Sequence, residues 1–364
     1  MLILHVVGAR PNFMKAAPVL RALALKPEVR QFLVHTGQHY DPAMSEVFFR
    51  ELEIPEPDCN LEVGSGSHAQ QTAAVMRAFE PLLLEHNPDL VLVYGDVNST
   101  VAAALVCSKL GVRVGHVEAG LRSRDRTMPE EINRLVTDQL SDLLFTPSSD
   151  ADENLRREGI DPEKIRLVGN VMIDTLVRLL PRAEQQHRPD CSCPYALVTL
   201  HRPNNVDDLP WLRQLIETLS KLSERLTIIF PVHPRTRQRL HDLGTLVEAN
   251  SRLKLIEPLP YLEFLALQCH AAMVITDSGG IQEETTFLGV PCLTLRENTE
   301  RPITLTSGTN QLVGRDLHRL RDTAEVILRE KMTGTVSPTR VPLWDGHAAK
   351  RIADVIMRSP ANTK

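Results

Sequence analysis

The sequence lacks the marks of a membrane protein, a secretory precursor and a nucleic-acid-binding protein. None of its apolar runs approaches the ~18 residues of a membrane span. Residues 1–8 form a short apolar run without a basic segment before it, which predicts a first strand rather than a signal peptide. The net charge is −5, and lysines and arginines are scattered along the chain. We therefore expect no nucleic-acid surface and no membrane partner.

Cysteine is scarce and lacks the spacing of a metal site. The six cysteines stand at positions 59, 107, 191, 193, 269 and 292. Cys191 and Cys193 are the only close pair, and no second pair completes a zinc site. Cys107, Cys269 and Cys292 lie in apolar sequence, which is typical of reduced core thiols. We expect a cytoplasmic protein without a metal.

Two common catalytic patterns are absent as well. No Gly-x-Gly-x-x-Gly follows the first predicted strand, which disfavours a dinucleotide-dependent dehydrogenase. No Cys–His or Ser–His–Asp pattern points to a covalent nucleophile. The chemistry must therefore be sought in other polar residues.

Short apolar segments alternate with amphipathic segments through the first half of the chain. The pattern predicts strands at 2–7, 31–36, 90–94, 112–117, 143–146 and 165–168, and helices at 12–25, 42–52, 68–86, 99–110, 129–140 and 149–158. Such alternation indicates βαβ units around a parallel sheet.

A polar segment, residues 181–194, precedes a second alternation and predicts a linker. The second half predicts strands at 196–200, 226–230, 253–256, 273–276 and 290–295, and helices at 209–222, 235–243, 261–269, 282–288 and 317–330. At 364 residues the chain has the length of about two domains. We predict an α/β protein of two doubly wound, Rossmann-like domains, residues 1–180 and 195–346, with a cleft between them. A last helical segment, 347–364, is expected to pack back across the domain junction.

Polar residues that follow predicted strands are the candidates for function, because open α/β sheets bind ligands at the carboxyl ends of their strands. Ser278, Gly279 and Gly280 stand between a buried strand and a helix. Free backbone N–H groups at such a helix N-terminus suit a phosphate or diphosphate. An ordinary βα turn with glycines would give the same pattern.

Charged side chains stand at other strand ends and helix starts. They are the cations Arg10 and Lys15, the carboxylates Asp96, Glu118 and Glu130, and the histidines His201 and His233. Solvated cations, helix-start acids and structurally bonded histidines are the alternative explanations. Taken with the phosphate site, the set describes a nucleotide diphosphate with acid–base groups around its leaving-group end.

Several motifs together resemble one enzyme family. They include Gly8-Ala9-Arg10-Pro11, Gly95-Asp96, His116-Val117-Glu118-Ala119-Gly120, Asp277-Ser278-Gly279-Gly280 and Thr299-Glu300-Arg301-Pro302. In this order they resemble the UDP-N-acetylglucosamine 2-epimerases of the bacterial non-hydrolysing type. The resemblance implies a GT-B-like fold, a homodimer, a UDP-sugar substrate and no cofactor.

The resemblance also implies a reaction, the interconversion of UDP-GlcNAc and UDP-ManNAc. A base removes the C2 proton and UDP leaves C1 by anti elimination, which gives 2-acetamidoglucal. UDP adds back after a proton returns to the other face of C2. Such an enzyme would supply activated ManNAc for cell-surface polysaccharide synthesis.

Residue roles follow from the same resemblance. It implies catalysis by Asp96, Glu118, Glu130 and His201, with the base and the acid left open. It implies substrate binding by Arg10, Lys15, His233, Phe264, Ser278, Gly279, Gly280, Glu284 and Arg301. Among these, Arg10, Ser278 and Gly279 would contact the diphosphate, Glu284 the ribose and Phe264 the uracil.

The chain departs from the family pattern at three places. Asn204 stands where many members have Glu, Asp41 stands where the substrate-activated branch has an amide, and no arginine stands near Gln70. Activation by substrate is therefore left open. Four alternatives remain: a hydrolysing epimerase that releases ManNAc, an epimerase of a 2,3-diacetamido uronic acid nucleotide, a GT-B glycosyltransferase, and a UDP-sugar sensor without catalysis.

Overall fold

Two parallel sheets, one in each half of the chain, form the framework of the protein. They are seen in a computed structural model that describes residues 1–38, 51–186, 194–242, 252–333 and 340–359. Asp41, most of the helix predicted at 42–52, and the pair Cys191 and Cys193 lie outside these ranges. The chain divides into two compact units, Met1–Val177 with Pro342–Lys364, and Arg178–Val341.

The first unit holds a sheet in the order β3-β2-β1-β4-β5-β6-β7, with every pairing parallel. Its strands are β1 (Leu2–Val7), β2 (Arg30–His35), β3 (Cys59–Asn60), β4 (Leu90–Tyr94), β5 (Val114–Val117), β6 (Leu143–Thr146) and β7 (Ile165–Leu167). The helices are α1 (Arg10–Ala24), α2 (His68–His86), α3 (Asn98–Leu110), α4 (Pro129–Leu140), α5 (Ser149–Arg157) and α6 (Val171–Glu184).

The second unit repeats this strand order as β10-β9-β8-β11-β12-β13, again parallel. Its strands are β8 (Tyr195–Thr199), β9 (Thr227–Pro231), β10 (Leu253–Ile256), β11 (Met273–Thr276), β12 (Cys292–Thr294) and β13 (Asn310–Leu312). The helices are α7 (Pro203–Val206), α8 (Leu209–Leu222), α9 (Pro234–Asp242), α10 (Tyr261–His270), α11 (Gly279–Leu288), α12 (Ile303–Thr306) and α13 (Leu317–Thr333). Both orders are those of a doubly wound sheet, so that prediction is confirmed.

The central strands follow from their sequence. β4 reads Leu-Val-Leu-Val-Tyr, and all of its residues are buried. A continuous apolar run of this kind is typical of a parallel strand covered on both faces. The order of each sheet reverses between two central strands, β1 and β4 in the first and β8 and β11 in the second. Doubly wound proteins bind ligands at that switch point.

The last helix, α14 (Ala348–Arg358), belongs to the first unit. The Asp174 carboxylate accepts hydrogen bonds from the N–H groups of Ala348 at 3.0 Å and Ala349 at 2.7 Å, which satisfies the helix N-terminus. Trp344 Nε1 donates to the Pro147 carbonyl at 2.9 Å. These bonds tie the end of the chain to the first sheet's unit.

Most element predictions are confirmed, and all but one of the missed elements are short. The strands predicted at 2–7, 90–94, 143–146, 253–256 and 273–276 have the observed bounds. β3, β13, α7 and α12 were missed, and so was the longer α6. The two strands are edge strands of two and three residues, too short to show periodicity. The strand predicted at 112–117 is also too long, because Val112 N donates to Cys107 O and closes α3 instead.

The predicted domain bounds stay a prediction. α6 runs through the position at which the two units divide, and residues 187–193 of the predicted linker lie outside the described ranges. None of the described helices combines the length and the apolar content that a bilayer crossing requires.

Candidate functional site

The switch point of the first sheet gathers the predicted carboxylates. Val6 of β1 lies opposite Val93, and Tyr94 of β4 lies opposite Val117 of β5. Asp96 and Glu118 therefore lie at the same end of the sheet, where the strands have their carboxyl ends. Asp96 lies two residues beyond β4, and Glu118 lies one residue beyond β5. α1 begins at that edge with Arg10, whose side chain lies outside what the structure describes.

Glu118 forms an ion pair with Lys15, which comes from α1. The two residues are 5% and 4% exposed. Neither charge could be buried at a low free-energy cost without the other. Glu118 has a φ of +74°, a strained conformation for a side chain with a Cβ. The N–H groups of Glu118 and Ala119 both donate to the Phe145 carbonyl, at 3.1 and 3.0 Å, and hold this turn.

Gly95 gives the ion pair its space. Its φ is +61°, and a Cβ at this position would collide with the Lys15 ammonium and lie 3.1 Å from Glu118 Oε2. A larger residue would therefore push the pair apart.

Asp96 is held by a buried arginine. Arg134, from α4, is 2% exposed and pairs with the Asp96 carboxylate through Nη1. Its Nε and Nη2 donate to Glu131 Oε2 at 3.0 and 2.6 Å. Glu131 also accepts from the N–H groups of Ser123 at 3.0 Å and Arg124 at 2.8 Å. One guanidinium thus fixes both Asp96 and the turn before α4.

A second buried network holds the turn at Gly95, which directly precedes Asp96. His116 Nδ1 lies 2.6 Å from Asp138 Oδ1, and its Nε2 lies 2.8 Å from the Gly95 carbonyl. Arg122 Nη1 contacts Asp138 Oδ2 at 2.7 Å. Burial alone would raise the pKa of Asp138, but the His116 and Arg122 partners hold that pKa below its ordinary value.

Glu130 differs from the other carboxylates. It lies half-buried in the first turn of α4. Within the described part of the chain, Glu130 makes no hydrogen bond or ion pair, whereas its neighbour Glu131 is fully engaged. Its carboxylate is available to a ligand.

The switch point of the second sheet carries a histidine and a buried aspartate. Thr199 of β8 lies opposite Thr276 of β11, so His201 and Asp277 leave the sheet together. His201 Nδ1 lies 3.1 Å from Asp277 Oδ1, and more than half of its side chain is exposed. Asp277 also accepts from Arg202 N and Asn205 Nδ2, each at 3.0 Å. Burial would raise the pKa of Asp277, but these partners, His201 first, hold it below its ordinary value.

The predicted phosphate site opens α11. Ser278 is the N-cap residue, and Gly279 and Gly280 form the first turn, where backbone N–H groups point out of the helix. A Cβ on Gly279 would collide with the Arg301 guanidinium and the Glu300 carboxylate. The buried Arg301–Glu300 ion pair therefore lies directly against the helix N-terminus, whose N–H groups favour an anion.

Two carboxylates hold that cation. Arg301 Nε lies 2.9 Å from Glu283 Oε2, and Nη1 pairs with Glu300. Glu300 also accepts from Arg296 Nη2 at 2.7 Å. Arg301 was predicted from its motif, but its partners were not.

The other predicted binding residues lie around α11. The Tyr261 hydroxyl donates to Glu284 Oε1 at 2.9 Å, which orients a buried carboxylate one turn beyond the glycines. Phe264 is partly buried against the apolar cluster that contains Leu197 and Val274. His233 is exposed beyond β9. Leu197 pairs with Ile229, so His201 and His233 follow their strands at equivalent positions.

In the first unit the structure pairs Lys15 with Glu118, and Asp96 with Arg134, which lies one turn beyond Glu130 in α4. In the second unit His201 contacts Asp277, which directly precedes Ser278, and Arg301 lies against Gly279. Sequence reasoning missed the residues that position them, which are Glu131, Arg134, Asp138 and Asp277. Asp277 directly follows a strand, so its position was a usable signal. The residues of the first unit offer proton transfer, and those of the second offer an anion site with hydroxyl acceptors.

Within the described residues, no cluster of three or more His, Cys, Asp or Glu side chains is placed to hold a metal. Gln70, near the position of the substrate-activated branch's arginine, accepts from Ser67 and completes the capping box of α2.

Comparison with known proteins supports one family. Residues 21–357 match the sequence model of the family described as UDP-N-acetylglucosamine 2-epimerase. A UDP-N-acetylglucosamine 2-epimerase of Methanococcus maripaludis is 43% identical over 96% of this chain and 97% of its own length. A UDP-2,3-diacetamido-2,3-dideoxy-D-glucuronate 2-epimerase of Pseudomonas aeruginosa is 40% identical, with 98% and 100% covered.

A solved structure agrees with these relatives. The Methanocaldococcus jannaschii UDP-GlcNAc 2-epimerase, in complex with UDP-GlcNAc and UDP, superimposes with a TM-score of 0.88 at 41% identity. The match covers 99% of this chain and 100% of that one. The likeness therefore extends over both units.

The buried Asp138 predicts a pH dependence of stability. Because its pKa is lowered on folding, its contribution is present above the ordinary aspartate value of about 3.9 and is lost as the pH falls through the folded-state pKa. Below about pH 4, the free energy of unfolding of Asp138→Asn should therefore fall less steeply with pH than that of the wild type. At neutral pH it should be destabilised by about 3–5 kcal/mol, because Arg122 loses a buried partner.

The measurement is urea unfolding followed by circular dichroism from about pH 3 to about pH 7. Glu153→Gln, at an exposed ion pair with Arg157, is the control and should leave both quantities unchanged. An Asp138→Asn curve parallel to the wild type in acid would contradict the assignment.

Proposed function

The chain belongs to the UDP-N-acetylglucosamine 2-epimerase family, and we propose that it interconverts UDP-GlcNAc and UDP-ManNAc without hydrolysing them. It is an epimerase with a GT-B-like α/β fold of two parallel sheets. The observation that carries the proposal is the kind of residue that each unit places at its strand ends. Paired carboxylates lie at the strand ends of one sheet, and a helix N-terminus beside a buried arginine lies at the switch point of the other.

The first unit moves the C2 proton. Asp96, Glu118 and Glu130 lie around the ends of β4 and β5 and the start of α4. Arg134 and Lys15 fix the orientation of Asp96 and Glu118. A positioned carboxylate removes the proton from one face of C2, and an acid returns a proton to the other face. Glu130, the carboxylate without a protein partner in the described residues, is the member of the group best placed to change protonation state.

The second unit holds UDP while the C1–oxygen bond breaks. Negative charge on the departing diphosphate is stabilised by Ser278, the N–H groups of Gly279 and Gly280, and the buried Arg301. His201 presents its exposed ring to the same charge, with Nδ1 held by Asp277. His233 is a further substrate-binding residue of this unit, and Arg10 of the first unit is a further diphosphate-binding residue.

The same unit recognises the nucleoside. Glu284 accepts from the ribose hydroxyls, because Tyr261 has already fixed its carboxylate. Phe264 contacts the uracil face from its partly buried position. Neither 2-acetamidoglucal nor UDP has a covalent bond to the protein. Both must therefore stay bound until UDP adds back to C1.

A second substrate has a specific observation in its favour. The relative that acts on UDP-2,3-diacetamido-2,3-dideoxy-D-glucuronate is nearly as similar as the UDP-GlcNAc enzymes, at 40% identity over 98% of this chain. That nucleotide is the alternative substrate for the same C2 chemistry.

We further propose a cytoplasmic homodimer that supplies activated ManNAc to polysaccharide synthesis. The buried free thiols of Cys107 and Cys292 suit a reducing compartment. The dimer and the biosynthetic role rest on the family resemblance.

Proton NMR of UDP-GlcNAc in heavy water tests the proposal. We expect deuterium at C2 and the appearance of UDP-ManNAc, without free sugar. Asp96→Asn should slow both by on the order of 10²–10⁴-fold, because the positioned carboxylate is lost. Glu153→Gln should match the wild type.

The other outcomes identify the alternatives. Free ManNAc released in step with UDP would indicate the hydrolysing reaction. Reaction only with the diacetamido uronic acid nucleotide would indicate the modified sugar. Sugar transfer that requires an acceptor, without exchange of the C2 hydrogen for deuterium, would indicate a glycosyltransferase. A protein that binds UDP-GlcNAc without converting it would indicate a sensor.

Asp277→Asn should impair turnover through the orientation of His201. The amide preserves the shape and can still accept from Arg202 N, but its NH₂ group faces Nδ1 and favours the wrong ring tautomer. We expect kcat to fall on the order of 10²-fold with a smaller change in KM. NMR shifts of the ring nitrogens of His201 should report the tautomer change. A wild-type kcat with a changed tautomer would contradict the role.

A further inference from the structure

A chain of side-chain amides in the first unit ends on the main chain of Asp96. It runs from Gln71 of α2 through Asn98 of α3 to Asn133 of α4. Asn133 Nδ2 lies 2.9 Å from the Asp96 carbonyl oxygen and 3.2 Å from Asn98 Oδ1. Asn98 Nδ2 lies 2.8 Å from Gln71 Oε1. Three helices are thereby joined to the turn that carries Asp96.

Main-chain carbonyls fix the direction of each hydrogen bond in this chain. Gln71 Nε2 lies 3.1 Å from the Gln38 carbonyl and 2.9 Å from the Gly64 carbonyl, and carbonyls only accept. Gln71 therefore donates to both and offers Oε1 to Asn98. Asn98 in turn donates through Nδ2 and offers Oδ1 to Asn133. Asn133 must then present its NH₂ group to this oxygen and to the carbonyl at the end of the chain.

The two amides behind Asn133 are buried. Gln71 is 6% exposed and Asn98 is 5% exposed. Buried polar groups are seldom left without hydrogen-bond partners, because such a loss is costly. Neither amide can therefore turn over without breaking the bonds on both of its sides. The orientation of the Asn133 amide is imposed by the fold.

Asp96 is held at three neighbouring points. His116 Nε2 lies 2.8 Å from the carbonyl of Gly95, the preceding residue. Asn133 holds the carbonyl of Asp96 itself, and Arg134 pairs with its carboxylate. The last two contacts come from consecutive residues of α4. Asp96 is therefore attached to this helix through both its main chain and its side chain.

The helix that holds Asp96 also carries Glu130. Glu130 and Asn133 are three residues apart, so they lie on one face of α4. The bond from Asn133 to Asp96 therefore fixes the main-chain positions of two candidate carboxylates relative to each other. Epimerisation requires one group that takes the C2 proton and one that supplies a proton to the opposite face. Their spacing decides whether both can reach C2.

We propose that Asn133 is a positioning residue for this proton transfer. Its amide holds the main chain of Asp96 at a fixed place relative to Glu130, and Asn133 itself exchanges no proton with the sugar. The inference rests on the proposed function, because it takes Asp96 and Glu130 to be groups that act at C2.

Two substitutions in the full chain remove the donor. Asn133→Asp keeps the size of the side chain but turns an oxygen toward both acceptors. Asn133→Leu removes the polar group without adding a charge, and both variants should fold because Asn133 is only half-buried. In each, kcat for epimerisation of UDP-GlcNAc should fall on the order of 10²-fold, while KM and the Kd for UDP stay within about threefold. Deuteration at C2 should slow by the same factor as kcat.

Two controls separate positioning from added charge and from lost stability. Gln139→Glu makes the same amide-to-carboxylate change at an exposed residue of α4. Asp174→Ala removes the carboxylate that caps α14, which should lower the urea midpoint without touching the chain of amides. Both controls should keep the wild-type kcat.

A crystal structure of Asn133→Leu gives a readout that does not depend on turnover. It should show the main chain of Asp96 displaced on the order of 1 Å. The proposal is overturned by a wild-type kcat in both variants, by a loss confined to Asn133→Asp, by an equal loss in either control, or by an Asp96 that stays in place.

Failure of the proposed function gives a different result. A wild-type protein that neither exchanges the C2 proton nor epimerises UDP-GlcNAc would refute the proposed function. The crystal structure of Asn133→Leu would then still decide whether Asn133 holds Asp96.

Discussion

The pairing of buried charges is the constraint on which the candidate residues of both units depend. Arg134 is 2% exposed and binds Asp96 and Glu131 at once. Removing either carboxylate would leave part of a guanidinium unpaired in the interior, which is strongly destabilising. The ion pairs of Lys15 and Arg301 obey the same rule. The candidate site carboxylates and cations are thus held in place by buried partners of opposite charge.

The doubly wound sheet explains how such pairs can be built. Where the strand order reverses, a crevice lies outside the carboxyl ends of the two neighbouring strands. The loops that follow these strands, and a helix N-terminus, meet there. In the first unit this end of the sheet receives Asp96 and Glu118, and in the second it receives His201 and Ser278. The same architecture therefore presents carboxylates in one unit and a histidine and a helix N-terminus in the other. The difference comes from the residues placed at the strand ends.

The sequence predicted the strand ends at which the candidate site residues stand, but not the residues that hold their side chains. Strand ends were visible because apolar runs such as β4 and β11 stop abruptly at polar residues. The partners were not visible, because Lys15 and Glu118 are 103 positions apart and Asp96 and Arg134 are 38 apart. No local pattern encodes such a pairing. The short edge strands β3 and β13 were missed for a related reason, since pairing with a neighbour, not periodicity, defines them.

The exchange of the C2 proton in Arg134→Lys tests whether the buried arginine positions Asp96 for the reaction. Lysine keeps the positive charge but has no planar fork, so it cannot hold Asp96 and Glu131 together. Deuterium incorporation at C2 of UDP-GlcNAc should slow on the order of 10²-fold, because a misplaced carboxylate loses much of its effect. UDP binding and the far-ultraviolet circular dichroism should stay as in the wild type. Wild-type exchange in this variant would show that the buried arginine does not position the reacting carboxylate.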